Sequence, residues 1–238
     1  MGDQPIGVVV AESPDQSFAR LALELSEAET VDQTASQIVA FGMKTLGTQY
    51  AGITMIRGRG AFETVGPSGP AVVKADLFQY DLQEGPCIDA AIRSQTVLAA
   101  DLATDARWSR WGPRAIELGF RSILSAELHA GGQRIGSINL YGSEPRQFTD
   151  ENVDVAKLFS SHAAAALAAV SLREGLQNAL NTRTIVGQAQ GVLMERFGVE
   201  ADRAFAILRR YSQHKNIKLT KVARDLVETR ELPQSPAE

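Results

Sequence analysis

The spacing of apolar residues changes along the chain, and each change marks an element. Phe18, Leu21, Ala22 and Leu25 recur at helical intervals. Thr30, with Gln33 three residues on, has the capping-box pattern that opens a second helix, striped by Ala35, Ile38, Val39, Gly42 and Leu46 and stopped at Gly47. The period then shortens to that of strands. Residues 51–57 and 61–66 are β-type runs around the turn Gly58-Arg59-Gly60 and predict a hairpin. Residues 72–80 read as a short helix, broken by Gln83-Glu84-Gly85-Pro86-Cys87; residues 88–94 resume a helix and 96–101 form a strand. A loop holding Trp108 and Trp111 precedes a helix over 114–118. Residues 122–130 and 133–141 are two β runs joined at Gly131-Gly132, the strongest hairpin signal in the chain.

Thr149 caps a further helix, with Asp150 and Glu151 in its first turn. This helix continues past the point where a domain helix would stop. Leu158, Ala165, Leu172, Ala179 and Val186 lie seven apart, and His162, Ala169 and Leu176 form a second series offset by four. Such a narrow seam over about four repeats predicts a parallel coiled-coil homodimer. Packing on the protein's own sheet would account for the seam only as far as Val170 and would leave Leu172, Leu176 and Leu180 uncovered. Arg183 falls in the seam and marks its weakening. Three apolar stripes follow, carried by Ile185 to Phe197, Ala201 to Tyr211 and Leu219 to Val227, with Pro233 beyond the last. They predict a small three-helix bundle whose first helix continues the coiled coil.

Charge divides the chain at the same place. The protein carries 24 basic and 28 acidic residues, a net charge of -4. Residues 181–230 hold 10 of the basic and 5 of the acidic residues, a net of +5, which leaves the remainder at -9. Such a split points to a C-terminal region that seeks a polyanion. The single cysteine, Cys87, excludes an internal disulfide and a paired-cysteine metal site, in keeping with a reducing cytoplasm. The apolar run at 6–11 is too short for a signal sequence, and no apolar run nears the roughly 18 residues of a membrane span, so a cytoplasmic protein without membrane contact is expected.

No catalytic constellation is evident. His129, His162 and His214 have no metal-ligand spacing to one another or to Cys87, so neither metal nor cofactor is expected and the chain does not read as an enzyme. Cys87 stands before a short helix whose N-terminus would favour a thiolate, which makes it the candidate redox position; the alternative is a small buried residue. A lone cysteine cannot run a dithiol reductase cycle. Trp108 and Trp111, near Arg107, Arg110 and Arg114, either line a small-ligand pocket or close the core as a lid. Gly187 and Gly191, four apart in a helix, each cost about 1 kcal/mol against alanine and predict close approach by a helix or a nucleic-acid backbone.

The run IVGQAQGVLMERFG followed by AFAILRRYSQHKNIKLTKVARDLV resembles the ANTAR domain, in both spacing and identity, across all three helices. The resemblance covers residues 181–231 and implies an RNA-binding module of transcription antitermination regulators. Gln190 stands where that family commonly has lysine, which removes a charge but leaves an amide able to read a base edge. Residues 17–170 resemble a GAF domain in the order helices, hairpin, EGPC turn, strand, hairpin, long helix, which implies a six-stranded antiparallel sheet that binds a small ligand or serves as a dimer platform. The expected fold class is therefore α+β: a GAF-like antiparallel sheet with flanking helices, joined by a long coiled-coil helix to a three-helix ANTAR bundle. The expected divisions are a loose tail at 1–17, a sensor domain at 18–170, the ANTAR region with its lead-in at 171–232 and a tail at 233–238. Expected partners are tandem RNA hairpin loops, a second copy of the chain, and an unidentified small ligand or regulatory protein at the sensor. The expected RNA face is Ala189, Gln190, Gly191, Arg209, Ser212, Asn216 and Lys218, with Arg209 and Lys218 on phosphate and Gln190, Ser212 and Asn216 on bases. Two rival functions are a DNA-binding regulator, because three helices can hold a helix-turn-helix, and a redox sensor at Cys87. The connection at Asn216-Ile217-Lys218 lacks the glycine of the DNA-binding motif.

Overall fold

A computed structural model describes residues 14–93 and 95–232. The tails expected at 1–17 and 233–238 lie outside the described residues, except for 14–17, which open helix α1 (Pro14–Glu27). The chain divides between Ser171 and Leu172 into two compact units.

The first unit is built on a sheet of five strands among the described residues, in the order β2-β1-β5-β4-β3. They are β1 (Tyr50–Ile56), β2 (Phe62–Val65), β3 (Val97–Ala99), β4 (Ser122–Ala130) and β5 (Gln133–Gly142), and every neighbouring pair is antiparallel. The resemblance implied six. Both predicted hairpins form. In the β4–β5 hairpin Gly131 (φ 57°) and Gly132 (φ 78°) both take the left-handed conformation that a tight two-residue turn needs. Gly136 in β5 lies against β1 so closely that a Cβ would sit 1.8 Å from the Thr54 carbonyl oxygen.

The central strands have long runs of buried residues because both sheet faces are covered. On one face pack α1, α2 (Val31–Leu46) and the leading part of α6 (Asp150–Phe197), through Ile38, Ile53, Leu124, Leu140, Phe159 and Leu167. The Thr30 cap forms as the sequence predicts, its hydroxyl accepting from the Gln33 amide at 3.2 Å. On the other face lie α3 (Pro70–Leu82), α4 (Pro86–Arg93) and α5 (Gly112–Glu117), with Val72, Trp108, Trp111, Phe120 and Tyr141 in the core.

Helix α6 runs 48 residues without a break. By length and composition alone it is apolar enough to cross a membrane, with a mean hydropathy of 1.4 over 18 residues, although the sequence shows no unbroken apolar run of that length. Its Ala-rich leading part is apolar because Ala156, Phe159, Ala163, Ala164 and Leu167 pack on the sheet. From Leu172 to Thr184 no side chain is buried. Leu172 and Leu176 of the seam, and Leu180 beside them, are 66%, 59% and 60% exposed.

The second unit joins the end of α6 to α7 (Ala201–Lys215) and α8 (Leu219–Thr229). Its core is Val186, Ala189, Leu193, Ala204, Leu208, Val222, Ala223 and Leu226, drawn from the three predicted stripes except for Val186, which the seam pattern had assigned to the coiled coil, while Phe197 and Phe205 of those stripes are exposed. Gly198 (φ 61°) and Asn216 (φ 51°) end α6 and α7 in the left-handed conformation.

Candidate nucleic-acid interface

The α7–α8 junction gathers exposed cations on a tightly held turn. Arg209, Arg210 and Lys218 are exposed, and none has a carboxylate partner among the described residues. Lys221 is drawn to Asp225 at 3.3 Å. The turn is fixed by three sets of bonds. The Ser212 hydroxyl donates to the Ile217 carbonyl at 2.6 Å, and the Ile217 amide donates back to the Ser212 carbonyl at 3.0 Å. The Lys218 carbonyl accepts from the amides of Lys221 (2.9 Å) and Val222 (3.1 Å), which closes the first turn of α8. Asn216, exposed at the end of α7, adopts the left-handed conformation with its amide turned back on Gln213 and Ser212. Cations on so well-defined a backbone are pre-organised for a polyanion, and their positions cost little to fix on binding.

The seven residues expected at this face therefore fall into three groups. Arg209, Asn216, Lys218 and Gly191 are on the surface. Ser212 and Gln190 are partly exposed but already engaged, Ser212 on the turn and Gln190 through its amide Nε2, which donates to the Ala201 carbonyl at 3.0 Å and ties α6 to the start of α7. Ala189 is fully buried in the three-helix core and has no surface to offer; it belongs to the scaffold. A Cβ at Gly187 or at Gly191 would meet nothing within 4 Å. Among the described residues no helix makes the close approach that the pair predicts.

The sensor candidates are all buried. Cys87 is fully buried, its amide donating to Gln79 Oε1 at 2.9 Å and its carbonyl accepting from the Ser137 hydroxyl at 3.1 Å. Burial, and then the nearby Asp76, push its thiol well above the ordinary value. The helix N-terminus does not make it a thiolate, because the thiol is cut off from water. Trp108 and Trp111 are buried in the core on this face of the sheet. They pack edge to face, ring centres 6.4 Å apart, with Trp108 Nε1 donating to Asp89 at 3.0 Å and Trp111 Nε1 to the Ala75 carbonyl at 3.0 Å. The arginines around them brace the loop: Arg110 pairs with Glu84 at 2.8 Å, and Arg107 lies 4.2 Å over the Trp108 ring.

On the same face is a polar network that apolar spacing does not show. Asp76, fully buried on α3, accepts from the Tyr141 hydroxyl and from the Thr64 hydroxyl at 3.0 Å. Thr64 and Thr54 both bond the Tyr80 hydroxyl, at 2.8 and 3.0 Å, and Asn139 donates to Thr54 at 2.9 Å. Gln79 donates to the Tyr141 hydroxyl at 3.2 Å. Burial pushes the Asp76 carboxyl up to about 7, and the two hydroxyl donors offset this only in part. The signal in the sequence is that Asp76 and Gln79 share the spacing of Val72 and Ala75, the inward face of α3.

Two families match the chain: the GAF domain over residues 24–168 and the ANTAR domain over 174–227. No curated relative matches it. Among solved structures, the chain is similar to a free methionine-R-sulfoxide reductase from Neisseria meningitidis, at 14% identity and a TM-score of 0.55, covering 69% of this chain and 96% of that one. It is similar also to the GAF domain of a phosphoenolpyruvate-protein phosphotransferase from Acinetobacter, at 11% identity and a TM-score of 0.55, covering 70% and 99%. The corresponding GAF domain from Coxiella burnetii matches at 15% identity and 0.55, covering 67% and 95%. At these identities the likeness is one of fold.

Proposed function

The chain belongs to the GAF domain family and ends in an ANTAR domain, and from that premise we propose that it is a dimeric transcription antitermination regulator whose ANTAR domains bind paired hairpin loops in nascent mRNA. GAF domains are sensor modules and ANTAR domains RNA-binding ones, so the chain is a regulator in outline. Held by the protein, the hairpin pair would keep the terminator hairpin from forming. The observation that carries the RNA reading is the α7–α8 junction, where Arg209 and Arg210 near the end of α7 and Lys218 on the hydrogen-bonded turn are exposed, with no carboxylate partner among the described residues. Hairpin loops present unstacked bases, which is where proteins read RNA sequence. The homodimer reading rests on exposed Leu172 and Leu176, which hold seam positions of the heptad pattern, with exposed Leu180 beside them, a face that a second copy would cover. A cytoplasmic site of action follows from that role. The GAF unit would set RNA-binding competence in response to a small ligand or a regulatory protein.

A competition between a two-hairpin RNA and duplex DNA of equal length, at matched salt, tests the first part. Preference for the duplex would replace this reading with that of a DNA-binding regulator. Sedimentation of the full chain tests the second, with Leu176→Asp expected to give monomers. A monomeric wild-type chain that still binds the two-hairpin RNA in full would remove the dimer from the proposal.

A further inference from the structure

In the second unit a groove of about 480 Å³ runs between the 178–188 stretch of α6 and the first turns of α8. Asn178, Asn181, Thr184 and Gln188 form one wall, and Thr220 and Arg224 the other. We infer that this groove is a second RNA contact, distinct from the cationic junction, which takes unpaired nucleotides of the loop with Arg224 on a phosphate and Asn181 and Gln188 on base edges. The inference rests on the RNA-binding reading above.

The lining chemistry selects the ligand. Its side chains are amides and hydroxyls, with one guanidinium, one apolar residue (Ile185) and no carboxylate. A lipid or an apolar peptide would find little to bury there. A polyphosphate would find one cation only. A single strand offers one phosphate per nucleotide beside a base rich in donors and acceptors, and Asn and Gln side chains match base edges with two bonds at once. The size falls in the usual range of ligand clefts.

Position supports the same reading. Residues 178, 181, 185 and 188 recur at intervals of three and four and share one face of α6, whereas Leu172, Leu176 and Arg183 lie on the opposite one. Pairing along the seam of Leu172, Leu176 and Arg183 would therefore leave the face of Asn181 and Gln188 open, with Leu180 and Thr184 at its border. The groove's α8 wall also begins at the turn that holds Lys218, since Thr220 and Arg224 follow on the next two turns of that helix. A strand that meets the cations at the turn has a continuous path into the groove.

The test uses the full chain and a two-hairpin RNA, titrated over a range of salt and repeated with altered loop sequences. Arg224→Ala is expected to weaken binding equally for all loop sequences and to lower the salt slope by about 1. Gln188→Ala and Asn181→Ala are expected to leave the salt slope alone and to reduce discrimination between loops by about tenfold each. Thr220→Glu, which places a carboxylate at the groove in the first turn of α8 where an acidic residue suits the helix, is expected to abolish tight binding without loss of helicity. Four folded variants with wild-type affinity, discrimination and salt slope would overturn the groove while leaving the RNA reading intact. A wild-type chain that binds neither the two-hairpin RNA nor its variants would overturn both.

Discussion

The two units use their polar side chains in opposite ways. In the first, Asp76, Tyr80, Tyr141, Thr54, Thr64 and Asn139 face one another. In the second, Arg209, Arg210 and Lys218 stand in water around a turn whose own hydrogen bonds are complete. A satisfied, buried network makes a core unique and rigid but has little left with which to hold a partner. Exposed cations on a fixed backbone contribute little to stability and are available to a polyanion. On the proposed RNA reading, the contrast predicts that stability and RNA affinity will respond to different substitutions.

The largest effect should come from Trp111. Trp111→Ala removes a fully buried indole together with its bond to the Ala75 carbonyl, which should cost about 3–5 kcal/mol of stability in the first unit. Denaturant titration reads this, while Arg209 and Lys218 remain as exposed as before. The next effect is that of pH. The Asp76 carboxyl is raised from 3.8 to about 7, so the folded state holds its proton more tightly than the unfolded chain does. Its contribution is complete below about pH 4 and is lost as pH rises through about 7. Melting curves between pH 5 and 8 should therefore show a downward slope from this group, and Asp76→Asn should flatten it. A variant whose slope matched wild type would show that Asp76 is not the titrating group.

Arg209→Ala should move the other observable, weakening RNA binding by about 1–3 kcal/mol with no change in melting temperature. If affinity at matched salt stayed constant, the α7–α8 junction would not be the interface. The smallest effect is expected at Ser212→Ala, which frees the Ile217 carbonyl at a partly exposed turn and should cost about 1 kcal/mol of stability. Its effect on RNA should be indirect, through the placing of Lys218; a loss as large as that of Arg209→Ala would mean that the hydroxyl itself touches RNA.

Local patterns in the sequence carried most of the fold. Both glycine-marked hairpins, the Thr30 cap, the unbroken α6 and the three inward stripes of the second unit depend on interactions within a few residues, and these are legible along a chain. The polar cluster was hidden because its members come from β1, β2, α3 and β5 and meet only when the sheet closes. Cys87 was readable as a redox position or as a small buried residue, and the structure buries it: a position before a helix is visible in sequence, but the solvent exclusion that dominates its thiol is not. Trp108 and Trp111 were readable as lid or as lining, and what the spacing could not show is that both indole N–H groups are paired inside the fold. At the candidate interface, charge marked Arg209 and Lys218 correctly as surface. Resemblance alone placed Ala189 among the contacts, and helical spacing explains why it is core: it falls between Val186 and Leu193 on one stripe. Arg224 stayed unnoticed because its importance lies in the wall that α8 makes with α6, a long-range pairing.

The stretch from Leu172 to Thr184 has a further consequence. It is held as helix by the packed turns on either side of it, at Leu167 and Val170 before and at Val186 and Ala189 after, while none of its own side chains is buried. In the proposed dimer a second copy would cover its leucines, so the stiffness of this stretch would obey mass action and rise with the amount of protein present. On that proposal the stretch would act as a gauge of the chain's own abundance.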